Sequence, residues 1–243
     1  MTNPSNIAGT QDSEWKGLFK AGGAAAVSVA VLYLIQIAVF VGWGRPPNTV
    51  LGFFTLFQNN RFLGLLDMDL LSLVDYALMG VVTLALYVAL RQASRSFMTI
   101  ATALGFVGVA VYYASNTAFS MLSLSDQYAT AATEAERSTL LTAGQAMLAI
   151  YQGTAFIVSY LLWAIAPMMI SVVMFRSKVF SRKTAYAGIV ANAFGLAYFV
   201  PVIGPILAII DVVGLVIWFI LVGRRLLRLG SDATIAHRFK EAV

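Results

Sequence analysis

Residues 70–90 read LLSLVDYALMGVVTLALYVAL, with one charge, Asp75, among them. A bilayer hydrocarbon core about 30 Å thick is crossed by roughly 20 apolar residues of helix, because each residue rises only about 1.5 Å. This stretch has that length and ends at Arg91. It is read as a membrane-spanning helix.

The remainder of the chain is of the same kind. Of its 243 residues, 60% are hydrophobic and 11% charged, with a mean hydropathy of +0.82. A soluble domain is roughly 45–50% apolar and about 25% charged. Too few charges exist to coat a water-facing surface, which excludes a soluble enzyme, a DNA-binding domain and a disordered chain. The absence of cysteine excludes disulfides, thiolate metal sites and iron–sulfur clusters. The single histidine, His237, excludes a multi-histidine metal or haem site within the chain. No cofactor, metal or nucleic-acid partner is therefore expected. In a membrane protein a net charge of +5 reports topology.

Outward from residues 70–90, further spans are expected at about 21–44, 97–122, 152–175, 184–199 and 206–222. The first lies between Lys20 and Arg45 and is closed by Pro46 and Pro47. Its apolar run ends in Trp43, Gly44 and Arg45 without the polar mature region of a cleaved signal, so it is read as an uncleaved helix. The charge-free run 138–175 is too long for one ordinary span and too short for two. It divides into an exposed or interfacial helix, 138–151, and the span that follows. Pro201 and Pro205, with Gly204 between them, predict a tight reversal. Residues 48–61 mix Leu51, Phe53, Phe54, Leu56 and Phe57 with Asn and Gln. They are too short and polar to span, and read as a segment lying along a bilayer face.

The expected fold is all-α: a polytopic integral membrane protein, a six-transmembrane-helix bundle over 21–223. It has an extracytoplasmic interfacial segment, an extracytoplasmic helical loop at 126–137, and cytoplasmic tails at 1–20 and 224–243. Thirteen of the 16 Lys and Arg residues then fall on the side of the termini: Lys16, Lys20, Arg91, Arg95, Arg176, Lys178, Arg182, Lys183, Arg224, Arg225, Arg228, Arg238 and Lys240. Only Arg45, Arg61 and Arg137 remain opposite. This bias places both termini in the cytoplasm, in a multi-pass protein of the inner or plasma membrane. His237, Arg238 and Lys240 are read as contacts to anionic lipid.

Helices in lipid associate through small residues and polar contacts. Gly22 and Gly23 in the first span, Ala101, Gly105 and Gly108 in the third, and Ala187, Gly188, Ala191 and Gly195 in the fifth supply such surfaces. Packing within one bundle is the default, with a homo-oligomer or a partner membrane subunit also open. Trp15 and Trp43 read as interfacial anchors. The spans do not divide into two halves with matching breaks, which argues against an inverted-repeat transporter.

Acids within membrane helices are costly and mark functional or paired sites. Asp75 and Asp211 each lie about five residues, or about 8 Å, inside their spans from the outer end. Asp67 and Asp69 stand at the outer mouth of the second span. Uncharged polar residues gather in the same outer half, among them Gln36, Tyr76, Tyr112, Asn116, Gln152 and Asn192. Ser72, Asp75 and Tyr76 share one helix face, and Tyr112 shares one with Asn116. The candidate ligand-binding set is Asp75, Asp211, Tyr76, Tyr112, Asn116, Gln152 and Asn192, with no catalytic and no metal-binding residue. The alternative is structural: shallow acids paired with Arg45, Arg61 or Arg137, and hydrogen bonds that join helices. No span holds a Ser–His pair or a lysine suited to a retinal Schiff base, and no phosphate loop occurs.

Leu66-Asp67-Met68-Asp69-Leu70-Leu71 leads into the second span, and Phe175-Arg176-Ser177-Lys178-Val179-Phe180-Ser181-Arg182-Lys183 into the fifth. With these motifs the chain, over roughly 27–227, resembles a prokaryotic membrane protein family catalogued as domain of unknown function 4386. It departs from that family in lacking a proline near Ser181. The resemblance implies a compact six-helix membrane protein and carries over no reaction and no site residue.

Two functions follow as expectations. The first is a non-enzymatic membrane protein whose outward-facing polar cavity binds a small molecule or ion, as a carrier, sensor or binding subunit. The second is a structural or accessory subunit of a larger membrane complex. An enzyme acting on a lipid stands third.

Overall fold

A computed structural model of the chain describes residues 4–44, 46–200, 202 and 204–231, without the side chains of 4–14, 40, 43, 199, 205, 206 and 208. Among the described residues there is helix and no strand. The helices are α1 (Pro4–Trp43), α2 (Val50–Asn59), α3 (Arg61–Asp67), α4 (Leu70–Leu90), α5 (Arg95–Ser115), α6 (Ala118–Thr130), α7 (Glu134–Tyr151), α8 (Thr154–Arg176), α9 (Arg182–Leu196) and α10 (Gly204–Ser231). Four helical stretches are long and apolar enough to cross a membrane: Trp15–Val39, Leu70–Leu90, Arg95–Thr130 and Glu134–Arg176.

The quoted stretch is α4 itself. Elsewhere the helices differ from the expected spans for identifiable reasons. α1 begins at Pro4, well before the apolar run, because proline is tolerated in a first turn and the polar residues after it do not break a helix. α10 continues past Arg224 and Arg225 to Ser231, because arginine and leucine are good helix formers. The stretch 97–122, expected as one span, is broken between α5 and α6. There the Asn116 side-chain oxygen accepts from the Ala118 amide (3.1 Å), a local bond that competes with helix continuation. The expected division after Tyr151 is present: α7 ends there. A Cβ on Gly153 would lie 2.7 Å from the Ala149 carbonyl oxygen, a closeness of approach that only glycine meets.

The chain forms two compact units. Unit 1 comprises residues 1–34, 77–106 and 163–243, and unit 2 comprises 35–76 and 107–162. Unit 1 is built on close backbone approach. A Cβ on Gly22 would meet Ala85, one on Gly23 would meet Leu227 and the Gly223 carbonyl, and one on Gly214 would lie 2.8 Å from the Ala191 Cβ. Gly188 faces Ser171 and the Trp218 indole in the same way. The small-residue surfaces of α1 and α9 are thus filled from within this unit. Around them pack Leu86, Ile170, Met174, Trp218, Phe219 and Leu226, all buried. The other side of α10 presents Ile210, Val213, Ile217 and Ile220 at exposures of 36–51%, an apolar outer face at helical spacing.

Unit 2 has its own core of Val50, Phe53, Phe54, Phe57, Met68, Ala118 and Met121. Capping shapes it. Thr49 starts α2 by accepting from the Gly52 amide (3.1 Å). Asn60 closes α2 and, by accepting from the Leu63 amide (3.0 Å), opens α3. Thr133 and Glu136 form a capping box at the start of α7. Residues 48–61 are thereby a short helix turned into a second one, docked on α6 through a bond from the Ser125 hydroxyl to the Phe54 carbonyl (3.0 Å).

Candidate functional site

The polar side chains of unit 2 converge on the junction between α3 and α4. Asp69 takes a left-handed backbone, φ 62°, a conformation that Asp and Asn tolerate better than most residues. Its carbonyl accepts from the Leu73 amide (3.3 Å), which starts α4. The carboxylate thereby stands at the positive end of that helix. It accepts a short hydrogen bond from the Tyr151 hydroxyl and a second, at 3.4 Å, from the Gln36 amide. The Asn116 amide donates to the Met68 carbonyl (3.2 Å), and the Tyr113 hydroxyl to the Leu73 carbonyl (2.6 Å). Groups from α1, α5, α7 and the α5–α6 break thus hold one junction.

One turn into α4 the cluster continues. The rings of Tyr76 and Tyr112 stack with centroids 3.8 Å apart and planes 8° from parallel. Tyr112 is buried, and its hydroxyl has no hydrogen-bond partner among the described residues. Asp75 is 1% exposed, and neither of its carboxylate oxygens has a hydrogen-bond partner among the described residues. The pairing expected with Arg61 or Arg137 is not made. Arg61 binds Asp126 (2.8 Å) and Arg137 binds Glu134 (3.2 Å), each the nearer acid in its own exposed surroundings. Arg45 lies outside the described residues.

Of the seven residues singled out from sequence, Asp75, Tyr76, Tyr112 and Asn116 belong to this cluster. Gln152 is in the same unit but exposed, at the end of α7. Asn192 and Asp211 belong to unit 1. Asn192 is buried and donates to the Gly188 carbonyl of its own helix (2.7 Å). Asp211 is buried with its carboxylate against Gly195, where a Cβ would lie 3.2 Å away. Sequence reasoning passed over Tyr151 and treated Asp69 and Gln36 only as a mouth residue and a polar neighbour. The available signal was two acids, Asp67 and Asp69, directly before an apolar run. Among the described residues no group of three His, Cys, Asp or Glu side chains is arranged to hold a metal ion.

Burial pushes the carboxyls of Asp67 and Asp69 above the usual value of 3.8. At Asp69 desolvation outweighs the bonds from Tyr151 and Gln36, which favour the ionised form. A raised carboxyl binds its proton more tightly folded than unfolded. The stability it contributes is fully present below pH 3.8 and is lost as pH rises through the raised values. Thermal unfolding in detergent between about pH 4 and 8 is therefore expected to show a downward component with rising pH. That component should flatten in Asp67→Asn/Asp69→Asn. An unchanged slope in the double variant would assign it elsewhere.

In comparisons with known proteins, no family model, curated protein or solved structure matches this chain.

Proposed function

We propose that the chain is a six-span integral membrane protein, both termini cytoplasmic, that binds a small monovalent cation at the α3–α4 polar cluster in its outer half. It acts as a carrier, sensor or binding subunit and not as an enzyme. The observation that carries this reading is Asp75: a buried carboxyl without a hydrogen bond, in a unit whose described arginines serve other acids. A buried carboxylate is stable only when a proton or another positive charge neutralises it. Its single charge suits a monovalent ion, and the Tyr112 hydroxyl is a second buried oxygen of this unit without a hydrogen bond among the described residues. The accessory-subunit reading drew on the small-residue surfaces, and those of α1 and α9 are already filled within unit 1.

For the membrane layout, the apolar lengths of the helices and the exposed apolar face of α10 support crossing. Sidedness rests on the Lys and Arg bias. The chain has no native cysteine, so single introduced thiols report cleanly. An impermeant thiol reagent applied to intact cells should label Thr133→Cys and leave Ser181→Cys untouched until the cells are opened. The reverse pattern would overturn the orientation.

The binding claim is tested by melting the purified protein in sodium, potassium and choline chloride at equal ionic strength. At least one of these cations should raise the melting temperature of the parent and leave that of Asp75→Asn unmoved. Equal responses from the two proteins, or none from the parent, would remove the proposal.

A further inference from the structure

Unit 1 contains a cavity of about 490 Å³ between the α8–α9 loop and α10. Lys178, Arg224, Arg225 and Arg228 line it, with Ser181 and Thr184 beside them, and no acidic residue is among the lining. Among the described residues none of the four cations forms a salt bridge. Arg225 is fixed: its Nε donates to the Val179 carbonyl (2.6 Å), which leaves the rest of its guanidinium for another acceptor. The Ser181 hydroxyl oxygen caps α9 by accepting from the Thr184 amide (3.2 Å), so the positive end of that helix faces the same space. Val179, Phe180 and Leu221 give the remaining wall an apolar character.

Four cations around one cavity, none in a salt bridge among the described residues, repel each other, and the arrangement is relieved by a multiply coordinated anion. Arginine forks and a helix N-terminus both suit the several oxygens of a phosphate group. The cavity is larger than inorganic phosphate requires, and its apolar wall accepts the organic part of an ester. We infer that this cavity binds a phosphate group, carried either by an anionic phospholipid headgroup or by a free phosphate compound. The site is separate from the Asp75 cluster and stands whether or not that cluster binds a cation.

Native mass spectrometry from mild detergent and melting in lipid nanodiscs separate the two sources. One probe is phosphatidylglycerol diluted into phosphatidylcholine; the other is inorganic phosphate added to phosphatidylcholine discs. Lys178→Gln/Arg224→Gln/Arg228→Gln removes three exposed cations and keeps Arg225, whose bond to Val179 holds the loop. Lys16→Gln/Arg91→Gln/Arg95→Gln removes the same charge elsewhere in unit 1. If the source is lipid, the parent retains phosphatidylglycerol, and the pocket variant retains at least tenfold less while the charge-matched variant keeps it. If the source is free, inorganic phosphate raises the melting temperature of the parent and of the charge-matched variant but not of the pocket variant. A single Lys178→Glu reversal should weaken binding in the same direction and guards against misfolding of the triple variant. Equal loss in both triple variants, or binding of neither probe by the parent, would overturn the inference.

Discussion

Gly188→Leu is expected to abolish native packing of unit 1. Gly188 is buried on α9, and even a Cβ there would meet the Ser171 hydroxyl and come within 2.8 Å of the Trp218 ring. Trp218 is itself 2% exposed in the core and cannot swing aside without opening it. Overpacking of a filled core typically costs about 1–3 kcal/mol, and a four-carbon side chain against the buried Trp218 ring falls at or beyond the upper end. Gly188→Ala should already lower the melting temperature. Gly17→Ala provides the contrast: its Cβ would meet nothing within 4 Å, so the gain in helix propensity, about 1 kcal/mol, is unopposed. Size-exclusion profiles and melting curves in one detergent measure all three. A monodisperse Gly188→Leu protein melting with the parent would mean that α9 does not pack as described.

Asp75→Asn is expected to separate stability from binding. Asparagine keeps the side-chain shape and removes the charge. An acid at the centre of a membrane helix costs about 2.5–3.5 kcal/mol on insertion scales; one turn into α4 the cost is smaller, and asparagine escapes most of it. With no hydrogen bond to the Asp75 oxygens among the described residues, the substitution breaks nothing visible. The variant should fold, melt at or above the temperature of the cation-free parent, and lose the cation response entirely. Unfolding of Asp75→Asn in detergent would instead identify the carboxylate as the partner of a structural cation. Arg45 would be the first suspect, since Arg61 and Arg137 are engaged.

What could be read from the chain followed physical scale. The helix at Leu70–Leu90 was legible to its ends, because an apolar run of membrane length bounded by polar residues has few alternatives. The division at Tyr151 was legible from length alone. The break at Asn116 was not. Its side chain is held by the Met68 carbonyl, 48 residues away in sequence, and an isolated Asn in an apolar run is equally compatible with a continuous helix. The same reason hid the centre of the site. Asp69 becomes more than a mouth residue only because Gln36 and Tyr151, 33 and 82 positions away, reach it together. Periodicity placed Asp75 with Tyr76, which share α4, and Tyr112 with Asn116, whose amide still donates to the Tyr112 carbonyl just past the end of α5. It could not foresee that Arg61 and Arg137 would turn to Asp126 and Glu134.

The claim that Asp75 is the seat of cation binding is most directly tested by cation-induced infrared difference spectroscopy on the parent and Asp75→Asn. Exchange of choline for sodium or potassium, or the reverse, should alter a carboxyl band in the parent, and that feature should be missing from the variant. A parent spectrum with no carboxyl change on cation exchange, or the same change in Asp75→Asn, would contradict it.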